Sequence, residues 1–485
     1  MPRTTTEHRD NRIQPLRDVR VAMLNWRDRE HSQGGGAEEY AMRVAHALVE
    51  AGAQVTFVTA RDRDQARRGE DGKVRIVRLG GRLTVYPLTL AWLARHRRAI
   101  DVVVDCHNGI PFFSPLVTSG HTKTVLLIHH VHAAQFAVHY SPLLARFGAW
   151  LEGPVARWLY RKAITVTVSP STVRAMRSRL GWRGPIFVVA NGMESPPQVP
   201  ATRTEEPTLV CLGRLVTHKR VEQLIDPVLR LRQRWPGLRL HLIGRGPLEH
   251  ALRAATADLD GAIMVHGYLD DVAKSRLLNQ SWLHVTLSDG EGWGLAVLEA
   301  AAHGVPTVCR DVDGLCDSVR HGETGWRMQP EDDVVATLDQ YLGKIADPAS
   351  ANDVAEACQN WAARFNWTST GERFVGVVAN LLHGDAAAGW YSGQHEAIVA
   401  EFRLPCDHQW LKWAVAQIGV GTRFGTDGEH GWVIAEQYPA GDLVTALHEA
   451  GATEVTVRAA DDVERLLGEA VPQREHIRPR PRLSR

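Results

Sequence analysis

Two glutamates eight positions apart, Glu291 and Glu299, flank a glycine-rich run, Gly290-Glu291-Gly292-Trp293-Gly294, that leads into an apolar helical pattern. Trp282 to Leu287 reads as a strand before it, and the spacing Leu295, Leu298, Ala302 reads as a helix after it, starting near Gly294. The amides at such a start lack helical partners and cradle an anion, and glycines let a phosphate approach the backbone. Glu291 falls on the loop lip and Glu299 about a turn and a half into the helix, so both can accept from hydroxyls on either side of a bound diphosphate. A sugar nucleotide has hydroxyls on both sides of its diphosphate. The alternative is a glycine-capped loop with solvated glutamates, but a surface loop needs neither Trp293 nor three glycines.

A second set of charges points to the same ligand. The strand Leu209 to Leu212 ends in Gly213-Arg214, and Lys219 follows at an expected helix start. A cation there opposes the helix dipole unless an anion is present. The chain has seven lysines against 49 arginines, so the scarcer residue suggests a point charge. Gly34-Gly35-Gly36 opens the first helical pattern at a strand's carboxyl side, where free amides can meet an anion. His129-His130-Val131-His132 closes the strand from Thr124 and admits three readings: a metal site, plain loop, or an active-site histidine. Adjacent histidines at a strand end point apart, and no neighbouring Cys or carboxylate completes a tetrahedral set. Asp105-Cys106-His107-Asn108-Gly109 ends another strand, with Asn108 expected on the acceptor side. Two Asp-x-Asp triplets, Asp62 to Asp64 and Asp311 to Asp313, can hold a divalent cation, but Arg214, Lys219 and the helix start already bring that charge. Activity is expected without metal.

The elements that must position these residues follow from alternation. Between residues 19 and 189, β-rich runs alternate with helical patterns, as in βαβ units on a parallel sheet, and after the proline-rich stretch Pro196 to Pro207 the pattern restarts. At 485 residues the chain is too long for one core. With 56 basic and 55 acidic residues, no global charge draws it to nucleic acid. No apolar run is long enough to span a bilayer and Met1 to Glu7 lacks a signal-peptide core, so a cytoplasmic location is expected. The six cysteines form no Cys-x-x-Cys pair and read as reduced thiols. Tyr86 to Arg98 reads as a helix packed on its own domain with a basic end, or as an amphipathic helix on an anionic membrane.

The run from Glu291 to Glu299 resembles the Glu-x7-Glu motif of retaining glycosyltransferases of family 4, which have the two-domain GT-B fold. Asn25-Trp26-Arg27-Asp28 with Gln33 to Glu38 resembles that family's first strand and glycine loop, and Leu212 to Leu215 with Lys219 its phosphate-binding pair. The likeness covers residues 18 to 383. It implies an α/β fold of two doubly wound Rossmann-like domains facing across a cleft; beyond the likeness, the helix, glycine turn and strand pattern from Asp442 to Val457 reads as a small α+β appendage. The expected divisions are a disordered tail 1–17, a first domain 18–190 with 366–383 crossing back, a donor domain 191–365, an appendage 384–471 and a basic tail 472–485. The tryptophans Trp390, Trp410, Trp413 and Trp432 of the appendage are expected in its core.

The resemblance further implies a hexose-type sugar moved from a UDP- or GDP-sugar to an acceptor hydroxyl, with no cofactor. His129 and Glu291 would be catalytic. Arg214, Lys219, Gly35, Gly36 and the stretch Gly292, Trp293, Gly294, Leu295 would hold the diphosphate, Glu299 the ribose, and Tyr268 and Leu269 the base. The acceptor, whether glycan, lipid-linked or a small molecule, stays open, as does contact with the inner membrane face. An epimerase or phosphorylase on the same fold, or a non-catalytic sugar-nucleotide sensor, are the alternatives.

Overall fold

In the computed structural model the described residues are 14–32, 34–132, 141–182, 186–200, 203–383, 397–403, 423–427, 430–436, 444, 447 and 452–460. The chain forms two compact units, residues 1–390 and 391–485. The first contains two sheets, each of which is wound as the alternation predicts.

The first sheet has eight strands in the order β3-β4-β2-β1-β5-β6-β7-β8. Its centre is built from β1 (Arg20–Leu24), β2 (Gln54–Thr59), β5 (Val102–His107) and β6 (Lys123–Ile128), all parallel, with β7 (Ile164–Thr167) and β8 (Ile186–Val188) beyond them. These strands are near-continuous apolar runs because helices cover both faces of a parallel sheet. Helix α1 (Gly36–Glu50) buries Tyr40, Val44 and Leu48 on one face. Helix α2 (Val85–His96) buries Val85, Thr89 and Leu93, which is packing on its own domain. Sequence reading missed β3 (Arg68–Asp71), an edge strand antiparallel to β4 (Val74–Arg78), since Arg-Gly-Glu-Asp has neither β-branched residues nor an apolar face. Leu16, grouped with the tail on composition, is fully buried, and its N–H donates to the Ala51 carbonyl.

Residues 142–159 form one long helix with a defect. Helix α3 (Pro142–Trp150) passes through a π-helical turn, Leu151–Val155, into α4 (Ala156–Leu159). Pro154 lies in that turn; it has no N–H to donate, and its ring conflicts with the carbonyl four residues back, which widening relieves. Helix α5 (Pro170–Leu180) follows β7, capped by the Ser169 hydroxyl.

The second sheet has six strands, β11-β10-β9-β12-β13-β14. They are β9 (Thr208–Leu212), β10 (Arg239–Ile243), β11 (Ile263–Gly267), β12 (Leu283–Thr286), β13 (Thr307–Arg310) and β14 (Gly325–Met328), all parallel. Intervening helices include α6 (Ile225–Leu231), α7 (Glu249–Thr256), α8 (Asp271–Gln280), α9 (Leu295–Ala302), α10 (Leu315–Ser318), α11 (Val334–Ala346) and α12 (Pro348–Ala362). In each sheet the winding reverses beside the first strand of its domain, β1 or β9, and ligands bind outside the carboxyl ends at such points.

The last helix of this unit, α13 (Trp367–His383), packs on α1 of the first domain. At its root, a Cβ on Gly192 would lie 2.4 Å from the Trp367 nitrogen, so only glycine fits the crossing. The Met193 N–H donates to the Phe365 carbonyl at 3.2 Å, tying the interdomain strand to the same place.

The second unit has a four-stranded antiparallel sheet, β16-β17-β15-β18, from β15 (Ala397–Arg403), β16 (Arg423–Asp427), β17 (His430–Glu436) and β18 (Thr453–Ala460). Val444 and Leu447 are helical, which makes the appendage α+β. Trp432 is half-buried on β17; Trp390, Trp410, Trp413, Cys406 and the tails 1–13 and 472–485 lie outside the described residues. Cys106, Cys211, Cys309 and Cys358 are buried free thiols and Cys316 is half-buried. No helix among the described residues is long and apolar enough to cross a membrane.

Candidate active site

The carboxyl ends of the two sheets face each other across a cleft of about 1010 Å³. It is lined by residues of both domains: Gly35, Gly36, Asn108 and His129 from the first, Arg214, Lys219, Tyr268, Leu269, Gly290 to Leu295 and Glu299 from the second. The predicted site residues, drawn from segments nearly 270 positions apart in the chain, therefore meet in one place.

Helix α9 starts after Gly294, whose φ of 101° is the left-handed region that favours glycine. The loop before it is fixed from beneath. The Glu291 N–H donates to the Asp313 carbonyl at 2.9 Å, and a Cβ on Gly314 would come 2.4 Å from the Glu291 oxygen. Trp293 is expected to serve through its backbone amide, and its side chain turns away from that task. Its indole is buried in the core beside Phe365, ring centres 5.1 Å apart, which leaves its backbone to serve an anion.

The carboxylates are held by lysines. Lys219 Nζ is paired with Glu291 Oε1. Burial alone raises the Glu291 carboxyl, but the Lys219 ammonium, helped by Ser288 and His218, brings it below its ordinary value. Lys219 ends a short 3₁₀ turn, Thr217–Lys219, followed by a second, Val221–Leu224, rather than starting an α-helix as expected. The strand-to-helix connection is too tight for i→i−4 bonding there: Arg220 takes φ of 50° between the two turns. Glu299 is paired with Lys274 of α8 at 2.9 Å. Burial lowers Lys274, but Glu299 and Asp271 raise it overall. Arg214 is exposed in the cleft, and no carboxylate among the described residues pairs with it. Burial lowers the Arg27 guanidinium; its Glu38 partner opposes this, and the charge of Arg214 facing it adds to the lowering.

The first-domain wall is built differently. His129 is buried edge-on against Tyr40, centres 5.0 Å apart, and its Nε2 has no protein partner. Burial pushes it down to about 3, so it is a neutral imidazole at physiological pH. The His130 and His132 rings lie against each other, tilted by 32° with centres 3.8 Å apart. The His132 N–H donates to Glu152 Oε1 at 2.6 Å, and Glu152, turned inward by the π turn, is fully buried. Burial likewise takes His107 and His132 to about 4. Of the run 105–109, only Asn108 and Gly109 reach the cleft. Asp105 is instead a buried anchor that accepts from Phe112 N–H at 2.9 Å, from Ser114 N–H at 3.2 Å and from the Tyr160 hydroxyl. Asn108 Nδ2 donates to Asn25 Oδ1 at 2.6 Å, which orients its amide. Glu38, also buried, accepts from the Gly35 N–H at 2.8 Å and shapes the glycine loop.

The two walls touch. A Cβ on Gly36 would lie 2.8 Å from Leu295 Cδ1, and one on Gly292 would lie 2.9 Å from the His129 carbonyl oxygen. The Ser171 hydroxyl accepts from Gly314 N–H at 2.7 Å, Ser171 N–H donates to Asp317 at 2.8 Å, and Arg179 pairs with Asp313 at 2.8 Å. The second Asp-x-Asp triplet is thus consumed by ion pairs, Asp313 with Arg179 and Asp311 with Arg327. Asp62 accepts from Ser32 and from Arg63 N–H, which holds its carboxyl down to about 2. Among the described residues no three His, Cys, Asp or Glu side chains gather in a metal-ligand set.

Sequence reading missed Lys274, His284 and Asn191, which also line the cleft. Lys274 could have been found from its rarity, like Lys219. His284 on β12 is buried with Nε2 partnerless and is pushed by burial to about 3; a lone histidine in an apolar strand carried no such signal.

Residues 34–195 match the family described as Glycosyltransferase Family 4, and residues 206–347 match Glycosyl transferases group 1. The chain is 27% identical over 364 residues to the glycogen synthase of Mycobacterium tuberculosis, covering 72% of this chain and 84% of that protein. It is 32% identical over 196 residues to a GDP-mannose-dependent phosphatidylinositol monomannoside mannosyltransferase of Mycolicibacterium smegmatis, covering 37% of this chain and 48% of the relative. Among solved structures, sucrose-phosphate synthase from Thermosynechococcus elongatus superposes with a TM-score of 0.63 at 20% identity, over 75% of this chain and 99% of its own. An Anabaena protein, HepE, solved with UDP-glucose, superposes with a TM-score of 0.55 at 16% identity, over 75% of this chain and all of its own. With both halves of the fold matched and their strand ends meeting in one cleft, the chain belongs to the group 1, family 4 glycosyltransferases of GT-B fold.

Proposed function

We propose that this glycosyltransferase takes a hexose from a UDP- or GDP-sugar and transfers it, with retention, to an acceptor hydroxyl. The observation that carries the reading is the convergence of Arg214, the Lys219–Glu291 pair, the start of α9 and the Lys274–Glu299 pair on one cleft. The Lys219 ammonium has three N–H donors and Glu291 uses one, so a diphosphate can take another. Arg214 adds a second cation, and the amides from Gly292 to Leu295 complete a cradle that needs no metal. Glu299 suits the ribose hydroxyls and Glu291 the sugar hydroxyls, while Tyr268 and Leu269 lie where a base would rest. His129, neutral with Nε2 partnerless, suits a hydrogen bond to the sugar beside the bond that breaks.

In this reading the bond from the sugar carbon to the phosphate oxygen breaks while the acceptor oxygen attacks from the same face. The acceptor's proton passes to the departing phosphate oxygen. Charge compensation at the phosphates is then the main catalytic contribution. The M. smegmatis relative is named as GDP-mannose-dependent and the Anabaena structure carries UDP-glucose, which keeps both bases in play for this chain.

The test is a thermal-shift screen of UDP, GDP and ADP, followed by turnover of the matching sugar donors with and without EDTA. A ligand at a hundredfold excess over its Kd adds about 2.7 kcal/mol, well within reach of a melting curve. Stabilisation by UDP or GDP with EDTA-insensitive transfer is expected. Binding without any donor turnover would point to a sensor, and acceptor-free conversion of the donor into an epimer would point to an epimerase.

A further inference from the structure

The basic end of α2 lines a second cavity, which lies on the first domain away from the cleft. This hollow of about 860 Å³ is bounded by the starts of β1 and β2, from Arg20 to Ala22 and at Gln54 and Thr56, whereas the cleft opens at the carboxyl ends of the strands. Six arginines line it, and the only carboxylate among the lining residues is Glu70. Arg20 is held by Asp101 at 2.9 Å, and Arg78 by Asp28 at 2.5 Å and Glu30 at 2.7 Å. Among the described residues no carboxylate pairs with Arg67, Arg68, Arg75 or Arg95, and all four are exposed. Charges on an edge strand such as β3 keep it from pairing with another chain, and Arg95 complements the carboxyl end of α2. Neither need gathers arginines from four elements, β1, β3, β4 and α2, around one hollow. A concave wall of one sign focuses its field on an entering anion. A flat wall adjoins the cations: Trp92 is half-buried in the lining, its ring stacked on His96 with centres 4.4 Å apart. The volume is that of a small-molecule site.

The cavity also reaches the glycine loop of the cleft through one side chain. Arg78, 5% exposed, donates to Asp28, to Glu30 and to the Ala66 carbonyl, which leaves two of its five N–H donors for a ligand. Asp28 and Glu30 stand on the loop between β1 and the glycines that open α1. That loop is closed on itself, with His31 N–H donating to the Asp28 carbonyl at 3.2 Å and Gly34 N–H to the His31 carbonyl at 2.8 Å. An anion that shares Arg78 adds repulsion toward both carboxylates and loosens the tether on which the loop rests.

We propose that this cavity is a second binding site, for a phosphomonoester of small-molecule size, with the phosphate on Arg68, Arg75 and Arg95 and the ring of the ligand against Trp92. Occupancy weakens the hold of Arg78 on the loop beside Gly35 and Gly36, and so lowers affinity for the nucleotide in the cleft. The site stands apart from the transferase reading above; the coupling rests on it.

The test is calorimetry of the full chain with inorganic phosphate, glucose-6-phosphate and AMP at low and high salt. Binding of glucose-6-phosphate or AMP, tighter than inorganic phosphate and weakened by salt, is expected; the tighter of the two tells whether a sugar or a base rests on Trp92. The triple variant Arg68→Gln, Arg75→Gln, Arg95→Gln should bind it about a hundredfold weaker while melting like the parent, since all three side chains are exposed. The Arg214→Ala, Lys219→Ala double variant should bind it as the parent does. Loss in the double variant with retention in the triple puts the probe in the cleft and overturns the proposal, as does a parent that binds none of the three. Equal affinity for inorganic phosphate removes the ring from Trp92. With the phosphomonoester saturating, affinity for UDP or GDP should fall about fivefold or more in the parent and not in the triple variant; an unchanged affinity overturns the coupling. Phosphomonoester binding in a parent that binds neither UDP nor GDP would leave the site standing and remove the transferase reading instead.

Discussion

The two walls of the cleft solve the problem of polar groups near substrate in opposite ways. On the second domain, charges stand in half-exposed pairs, Lys219 with Glu291 and Lys274 with Glu299, ready to share donors and acceptors with a ligand. On the first, the polar groups behind the strand ends are sunk into the core: His107 and His129 among apolar neighbours, Asp105 under three donors, Glu152 under a backbone amide. The difference teaches how the proposed reaction would divide its work, with one wall recognising charge and the other excluding water and fixing shape. In the proposed transfer, a wall of sealed polar groups beside a cationic one suits a leaving group that is an anion and a reaction in which water must not compete.

The comparison breaks most visibly at Lys219. Lys219→Ala should lower turnover by about 10² to 10³ with nearly unchanged melting, because the residue is half-exposed and serves charge rather than packing. Steady-state kinetics beside a melting curve reads both. On the opposite wall the balance reverses. Asp105→Ala strands two buried N–H groups and the Tyr160 hydroxyl, and should destabilise the fold by about 3 kcal/mol, as measured by urea unfolding; an unchanged midpoint would mean that the anchor is dispensable.

Much of this was legible in the sequence. Periodicity marked all the central strands to within one or two residues, since buried parallel strands are short apolar runs bounded by glycine and proline. The clustering of the second-domain residues was legible because they sit at strand ends in a glycine-rich setting, where free backbone amides gather. The acceptor wall was not. His132 and Glu152 are brought together by a π turn whose register no helical wheel contains, and α3 reads as an ordinary amphipathic helix until its apolar face is seen to point outward. The position of the Trp293 ring was hidden for the same reason: proximity in the motif did not reveal that it turns into the core.

A gentler probe is Glu299→Gln, which keeps size but weakens the Lys274 pair and any bond to ribose; nucleotide affinity should fall about tenfold by calorimetry, with turnover at saturation little changed. Smaller still is the pH response. His107, His129 and His132 have folded values near 4, 3 and 4 against an ordinary 6.5. As pH falls the unfolded chain takes up these protons first, so stability present above about 6.5 is lost as pH drops from there toward 4. Melting temperature should decline across that window, and His129→Asn should flatten part of the decline. A flat profile in the parent would mean that the acceptor wall is not sealed from water.

The central claim is that the donor wall grips a diphosphate, and affinity for UDP or GDP against the corresponding monophosphate tests it most directly. Calorimetry should show the diphosphate bound distinctly tighter by the parent protein, with that preference abolished in the Arg214→Ala, Lys219→Ala double variant while monophosphate binding survives. A double variant that kept the full preference would contradict the account.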